Sequence, residues 1–458
     1  MTAKTRSGRV GRDLTEGPIF QNLVLFAIPM IFTNLIQQLY SMADLAVIGQ
    51  FVGSVGTVGV STGGEVSDLM TPVATSVSMA GQIYIAQLAG AKDMKRVKEA
   101  LGTMLTFMLL LSVFATFVPI LFWRPILALL NCPEEAIAQA RNYMVICSFG
   151  MPFIFGYNAI CAVLRGMGES KRPLEFVAVA ATINVFLDIL LVAVIPLEAA
   201  GTAIATVASQ IGSCVAAFIY LCRHKENFDF ELKLSYFNMK WEHLRIMLKL
   251  GIPQLIRQFT VRFSMLWVKA NINSYGLLYS STYSIGNKLE KFVDVFFNGV
   301  TGAGSAMIGQ NLGARNLDRV KKIQRSTLLG AVGFGMLGSI LFLTMPTVLF
   351  RIFTEDTAVI EYGITYCRVM ALGCLVHAWA SSYKCMATGA GEALLSFFIG
   401  IFDGISRIIV CFVAVQVFNA GIMGYYFGAA LCHLLPGLIS FGYYISGKWK
   451  TKKLLVER

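Results

Sequence analysis

Long stretches without a charged residue dominate this chain and restrict it to few folds. Four of them run from Leu101 to Phe122, Ala199 to Cys222, Ser326 to Phe350 and Ile408 to Gly447. A helix that crosses a bilayer needs about 20 apolar residues, so each stretch can hold one span, and the last, broken near Asn419, can hold two. Only 14% of the residues are charged, against about 25% in soluble globular proteins. The sequence therefore predicts an all-α polytopic membrane protein.

The first apolar stretch, Asn22 to Ile48, is predicted to be a retained helix rather than a cleaved signal peptide. A signal peptide has a short apolar core and precedes the mature protein, whereas about eleven further spans follow here. The ten cysteines show neither C-x-x-C nor zinc-binding spacing, and we interpret them as packing residues. We find no Walker loop, metal-ligand motif or nucleophile–base motif, so we predict neither an enzyme nor a bound cofactor.

Basic residues cluster in alternate loops, which predicts the orientation of the chain. Lysine and arginine gather at residues 4–12, 92–98, 165–172, 223–249, 315–325 and 448–458. Because basic loops remain on the cytoplasmic side, we expect an even number of spans, with both termini cytoplasmic, in the bacterial cytoplasmic (inner) membrane. Nucleic-acid binding is not expected from the net charge of +12, because this charge is spread among the spans.

The two halves of the sequence repeat each other. The segment Ile85–Lys92 returns as Ile308–Arg315, and Gly166–Glu169 returns as Gly389–Glu392, each 223 residues later. An offset that covers six helices preserves direction across the membrane. We therefore predict two parallel, pseudo-symmetric six-helix lobes with a substrate site between them near the midplane.

The predicted helices and domains follow from the apolar stretches and the repeat. Twelve helices are expected at 22–48, 57–88, 99–122, 138–162, 174–195, 200–222, 250–272, 280–310, 325–348, 361–385, 394–417 and 422–446. The domains are a cytoplasmic N-terminal tail (1–21), an N-lobe (22–222), a cytoplasmic linker (223–249), a C-lobe (250–446) and a cytoplasmic C-terminal tail (447–458).

Ionisable side chains inside the predicted spans of the N-lobe indicate a cation site. Asn184 and Asp188 are four residues apart in helix 5 and so share one helix face. Asp188 lies nine residues before the turn near Leu197, and Thr206 lies nine after it, which puts both about 13 Å from that turn. With Asp44 of helix 1 they form a set of carboxylate, amide and hydroxyl oxygens. This set suits Na⁺ or a proton shared between carboxylates; the alternative is a structural hydrogen bond between helices.

Several blocks resemble the multidrug and toxic compound extrusion family over nearly the whole chain. They are Ile28-Pro29 with Gln37–Tyr40 and Asp44, Arg165–Glu169, Asn184 with Asp188, and Gly309–Ala314. The resemblance implies a V-shaped bundle of two lobes that exports drugs or metabolites against Na⁺ or H⁺. It also implies that Asp44, Asn184, Asp188 and Thr206 form the coupling site. Helix 7 carries Arg257 and Arg262 and no acid, which departs from members that couple through the C-lobe.

The predicted spans of the two lobes differ in charge sign. The first half holds Asp44, Glu65, Asp68 and Asp188, while the second holds Arg257, Arg262, Lys269, Lys288, Lys291, Arg368 and Arg407 against Glu290, Asp294 and Asp403. We expect either local pairs along helix 8 with snorkelling ends or a basic cavity wall for an anionic or zwitterionic solute. The predicted cavity residues are Gln37, Gln38, Tyr40, Arg257, Arg262, Glu290, Asp294 and Arg407. His377 and His433 are expected to pack or hydrogen-bond, with proton handling as the alternative.

The function predicted from these features is efflux of drugs or small metabolites by antiport with H⁺ or Na⁺ through alternating access. The alternatives are a flippase for a lipid-linked or anionic precursor and a membrane sensor that no longer transports. The expected partners are membrane lipids and a small-molecule substrate, the expected coupling ion is H⁺ or Na⁺, and the chain is expected to be a monomer.

Overall fold

The computed structural model describes residues 13–130, 132–224 and 238–451 together with Leu455. Twelve long helices follow one another along this part of the chain. They are α1 (Ile19–Phe51), α2 (Ser54–Gly90), α3 (Met94–Leu121), α4 (Ile137–Phe149 and Met151–Gly166), α5 (Lys171–Asp188), α6 (Glu198–Arg223), α7 (Trp241–Asn273), α8 (Leu277–Gly313), α9 (Leu317–Thr344), α10 (Thr357–Gly389), α11 (Ala393–Phe412) and α12 (Ile422–Leu431 and Leu434–Ser446). Shorter helices at Trp123–Leu129, Pro346–Arg351 and Lys448–Thr451 lie between or after them.

Length and apolarity alone qualify eight of these helices to cross a membrane, and the two parts of α4, bent by 46°, make a ninth span. The remaining three, α2, α7 and α8, are 33 to 37 residues long but carry more charged, hydroxyl and glycine residues. Together they account for the twelve predicted helices, and the all-α prediction is confirmed.

Helix α3 shows why the charge-free stretches require lipid. Its side chains Leu109, Phe114 and Leu121 are 55–71% exposed, while Met104 and Ala115 on another face are buried. A soluble protein rarely leaves so large an apolar surface in water. The chain is therefore a multi-pass membrane protein.

Helix α7 begins earlier than predicted. It starts at Trp241, within the segment 223–249 that was predicted to be linker. Buried His243, Leu244 and Met247 alternate with exposed Arg245 at helical spacing, so the basic residues form the outer face of a helix. Residues 225–237 of the predicted linker, 1–12 of the N-terminal tail, and 452–454 and 456–458 of the C-terminal tail lie outside the described residues.

The chain divides into two compact units. The first unit contains residues 32–251, and the second contains Leu14–Ile31 and the chain from Ile252 onward. The division thus falls within α1 and within α7, at Ile31 and Gly251, whereas the predicted N-lobe includes all of helix 1.

The repeat is visible in the backbone. Lys92 and Arg315 both have positive φ, 60° and 58°, and they are 223 residues apart. Positive φ is uncommon for such side chains. The π-helical turns Ile189–Val194 and Val413–Val417 occupy corresponding places at the ends of α5 and α11. Two matched irregularities of different kinds show that both halves follow one backbone plan.

The start of the described chain is fixed to the end of α8 within the second unit. The Leu14 amide donates to Gln310 Oε1 at 3.1 Å, and Asn311 Nδ2 donates to the Leu14 carbonyl at 3.0 Å. Leu14 itself is fully buried. The repeat block around Gln310 therefore holds the segment that leads into α1.

Asn311→Ala should lower the free energy of unfolding by about 1–2 kcal/mol. The substitution removes the bond to Leu14 and a second bond from Asn311 Nδ2 to the Met307 carbonyl at 2.9 Å, and a buried carbonyl without its donor is destabilising. The shift would appear in thermal unfolding of the purified protein. Asn316→Ala is the matched control, because this exposed asparagine makes no side-chain capping bond. Equal losses in the two variants would contradict the prediction.

Candidate functional site

A cavity of about 330 Å³ lies within the first unit. Helices α1, α2, α4 and α6 line it, and its polar residues include Tyr40, Asp44, Glu65, Thr206 and Gln210. Gln210 Nε2 approaches the Tyr40 hydroxyl at 3.5 Å. Two acidic side chains beside aromatic and hydroxyl groups make this a polar, electronegative chamber inside an apolar bundle.

The four residues of the predicted cation site meet at one wall of this cavity. Thr206 Oγ1 donates to Asp44 Oδ2 at 3.4 Å, and Asn184 and Asp188 are direct neighbours of Asp44. Asp44 is 7% exposed and lines the cavity, whereas Asn184 and Asp188 are fully buried. The site thus has an accessible side at Asp44 and a closed side at Asp188.

The local backbone explains how helix α5 presents Asp188. The regular helix ends at this residue, and a π-helical turn, Ile189–Val194, follows directly. Such turns widen the helix and are frequent at functional sites. Asn184, one turn earlier, shares the face of Asp188, as the sequence predicted.

Five buried polar atoms at this site have no hydrogen-bond partner. They are Asp44 Oδ1, both side-chain polar atoms of Asn184 and both carboxylate oxygens of Asp188. Each buried polar atom left unpaired costs about 1–3 kcal/mol, and most such atoms in native proteins are satisfied. Four of the five are oxygens, and neighbouring carboxylates repel unless a cation or proton lies between them. The residues present therefore fit Na⁺ or a shared proton.

The predicted cavity residues fall into separate groups. Tyr40 lines the first-unit cavity, but Gln37 is half-buried, Gln38 is exposed, and neither contributes to its lining. The side chain of Asp68 lies outside the described residues. In the second unit Arg262 is exposed, Arg257 donates to Gln254 Oε1 at 3.0 Å, and Arg407 is buried. These three arginines thus occupy quite different environments.

The prediction of local pairs along helix 8 is wrong. Tyr366 donates to Glu290, and His377 Nδ1 lies 3.1 Å from Asp294 Oδ1, so both acids bond α10. Lys288 instead lies over the Phe353 ring, 5.6 Å from its centroid. The acids face the interior of the second unit, while the exposed lysines Lys288 and Lys291 lie on another side of the helix.

Sequence reasoning missed a buried ionic cluster in the second unit. Lys384 Nζ contacts both carboxylate oxygens of Asp403 at 2.8 and 2.7 Å, and His433 Nδ1 lies 2.9 Å from Asp403 Oδ1. The rings of His433 and His377 stack with centroids 4.1 Å apart. The signal was a lysine and two histidines in apolar helices, but their pairing depends on how α10, α11 and α12 pack.

The second unit does not repeat the cation site of the first. Arg407 and Cys411 occupy the positions 223 residues after Asn184 and Asp188. Arg407 donates to Cys432 Sγ at 3.3 Å, and its Nε has no partner. A fixed positive charge at this position disfavours a second cation site of the same kind.

Comparisons with known proteins agree with this architecture. The MatE family's sequence profile matches residues 29–190 and 253–413, one segment in each half. The chain is 27% identical over 454 residues to the probable multidrug resistance protein YoeA of Bacillus subtilis, covering 97% of each chain. It is 26% identical to the probable multidrug resistance protein YpnP of the same organism, covering 97% of this chain and 99% of that one.

A solved transporter of the MOP superfamily from Pyrococcus furiosus has the same fold. It superposes with a TM-score of 0.90 at 20% identity and covers 98% of this chain and 100% of its own. The fold, the two matched halves and the paired family segments lead to one assignment. The chain belongs to the multidrug and toxic compound extrusion family, whose members are membrane transporters and not enzymes.

Proposed function

We propose that this protein exports drugs or small metabolites by antiport with inward-moving Na⁺ or H⁺. Family membership supports efflux, since YoeA and YpnP carry the name of probable multidrug resistance proteins. The observation that carries the coupling is the set of unpaired, buried oxygens at Asp44, Asn184 and Asp188.

Asp44 is the residue through which cation and substrate compete. It lines the cavity, and it also neighbours the fully buried Asp188. A solute bearing a positive group in the cavity and a cation held between the carboxylates would both draw on the Asp44 charge. Each ligand then favours a different conformation, and it shifts the equilibrium only by its differential affinity. Alternating access follows if the two conformations open to opposite sides.

The charges around the cavity favour an organic cation or a zwitterion as substrate. Asp44 and Glu65 suit a positive group, and the rings of Tyr40 and Tyr143 offer π-faces to it. An anionic group would have to find its partner elsewhere. We propose the arginines of the second unit for this role, with Arg407 the buried member.

We further propose that the chain works as a monomer in the bacterial cytoplasmic membrane with both termini in the cytoplasm. The alternate basic loops at residues 92–98, 165–172 and 315–325 support this orientation. No cofactor is required in this scheme besides the coupling ion.

Thermal stability tests the cation site without a known substrate. Wild type, Asp44→Asn and Asp188→Asn are compared from about pH 5 to 9 in Na⁺ or K⁺ at equal ionic strength. A cation that binds only the folded protein stabilises it by about 2.7 kcal/mol at a hundred times its Kd. We expect stabilisation of several degrees in wild type and none in the variants.

The pattern of the response identifies the ion. A rise in Tm that requires Na⁺ indicates a sodium site, and a rise at low pH in either salt indicates a shared proton. A response of wild-type size in both variants would contradict the proposed site.

A further inference from the structure

The second unit carries a titratable cluster where the first unit has its cavity. Three residues of the cavity lining, Thr71, Ile154 and Gln210, correspond at the 223-residue offset to Asp294, His377 and His433. Since the backbones of the two halves match, these three side chains project toward the equivalent interior space. There the polar but non-titrating lining of the first unit is replaced by an acid and two imidazoles.

We propose that Asp294 and His377 form a proton-binding site in the second unit, separate from the site at Asp44 and Asp188. His377 Nδ1 lies 3.1 Å from Asp294 Oδ1. A carboxylate only accepts, so Nδ1 carries the hydrogen of this bond. The lone pair of Nε2 is then available, and the incoming proton binds there to give an imidazolium that Asp294 neutralises.

The stacked ring of His433 limits the cluster to one proton. His433 Nδ1 donates to Asp403 Oδ1 at 2.9 Å, which fixes it as a neutral tautomer. Its ring lies 4.1 Å from that of His377 with an interplanar angle of 22°. A neutral aromatic face stabilises one neighbouring cation, but two imidazolium rings at this distance would repel strongly.

The charges around the two rings also require one proton. They come from Glu290 and Asp294 of α8, Lys384 of α10, and Asp403 and Arg407 of α11. Helix α9 packs on α10 but has no charged residue from Ser326 to Thr344. With both histidines neutral, three acidic groups face two basic ones, so the cluster has one excess negative charge. A proton on His377 balances it.

Exposure gives the site a direction. The side chain of Asp294 is 40% exposed and that of His377 is 24% exposed, while Asp403 is 3% exposed. A proton can therefore arrive at the Asp294 side, and the Lys384–Asp403–His433 group forms the closed end. Protonation changes the charge between α8 and α10 without breaking the ion pair between α10 and α11.

The chain has four histidines in all, which makes a direct measurement feasible. Full-length protein labelled with ¹⁵N-histidine is titrated by NMR from about pH 5 to 9, where an imidazole can change its charge. We expect His377 to take up one proton and His433 to remain neutral while its signals shift at the same pH. Asp294→Asn should weaken the proton affinity of His377 at least about tenfold.

Two controls keep the result interpretable. His377→Gln assigns the signals; if that variant does not fold, contacts to the Phe297 ring, 5.0 Å from that of His377, assign them in wild type. Asp188→Asn in the first unit should leave the titration unchanged, so this inference can fail or succeed independently of the proposed antiport site. A His377 that stays neutral throughout, or that titrates identically in wild type and Asp294→Asn, would overturn the proposal.

Discussion

Asp188→Asn is expected to reduce efflux by at least about a hundredfold. The substitution keeps the size of the side chain but removes the charge from a fully buried site whose two carboxylate oxygens have no other partner. Each contact between a cation and a carboxylate oxygen contributes about 1.5–3 kcal/mol, and losing two of them corresponds to more than a hundredfold in binding. Asp44→Asn should have a similar effect, since it removes the other carboxylate.

Efflux is measured in proteoliposomes that contain equal amounts of folded protein. A fluorescent organic cation serves as the probe, driven by an imposed Na⁺ or pH gradient. Asp318→Asn is the matched control, because this acid is 89% exposed and pairs only at the surface with Lys321. It should change the rate less than twofold. Asp188→Asn protein that transports within threefold of wild type would rule out coupling at this residue.

Thr206→Val should have a smaller effect, which separates ligand contacts from charge. The hydroxyl donates to Asp44 at 3.4 Å, a long bond whose loss costs about 1 kcal/mol. The expected outcome is a roughly five- to tenfold weaker response to the coupling ion with the maximal rate retained. The corresponding ion titration of the efflux rate tests this.

The first-unit site was predictable because its geometry depends on helix spacing and one hairpin. Asn184 and Asp188 share a face by their separation alone, and Thr206 reaches the same depth because α5 and α6 are antiparallel neighbours joined by a short turn. Helical rise and a turn position suffice for that inference. The π-helical turn after Asp188 was not predictable, since no residue in the run Ile189–Val194 marks it.

The second-unit cluster was not predictable, because it depends on packing among helices that are distant in sequence. Lys384 and Asp403 are on α10 and α11, and His433 comes 30 residues after Asp403. Spacing along α8 suggested that Lys291 pairs with its own helix, yet Glu290 and Asp294 bond Tyr366 and His377 of α10. The offset of the repeat could have located this cluster, had it been applied to the cavity lining and not only to the loop motifs.

The buried ion pair of this cluster gives the largest expected change in stability. In Lys384→Met, Asp403 stays 3% exposed with only the neutral His433 to donate to it. Removing one partner of a buried pair costs about 3–5 kcal/mol, whereas replacing both by apolar residues is often neutral. Lys384→Met should therefore unfold at a Tm several degrees lower than wild type, and the double variant Lys384→Met/Asp403→Leu should recover most of the loss.

A double-mutant cycle of thermal unfolding separates this coupling from general damage to the bundle. Lys288→Met removes an exposed lysine of the same unit and is expected to change Tm little. If the double variant were less stable than Lys384→Met alone, the contribution of Asp403 would lie in its bond to His433 rather than in the ion pair. Recovery in the double variant would instead show that the pair is dispensable for folding. The histidines could then be titrated with this pair absent, which would show whether the closed end of the cluster affects the proton at His377.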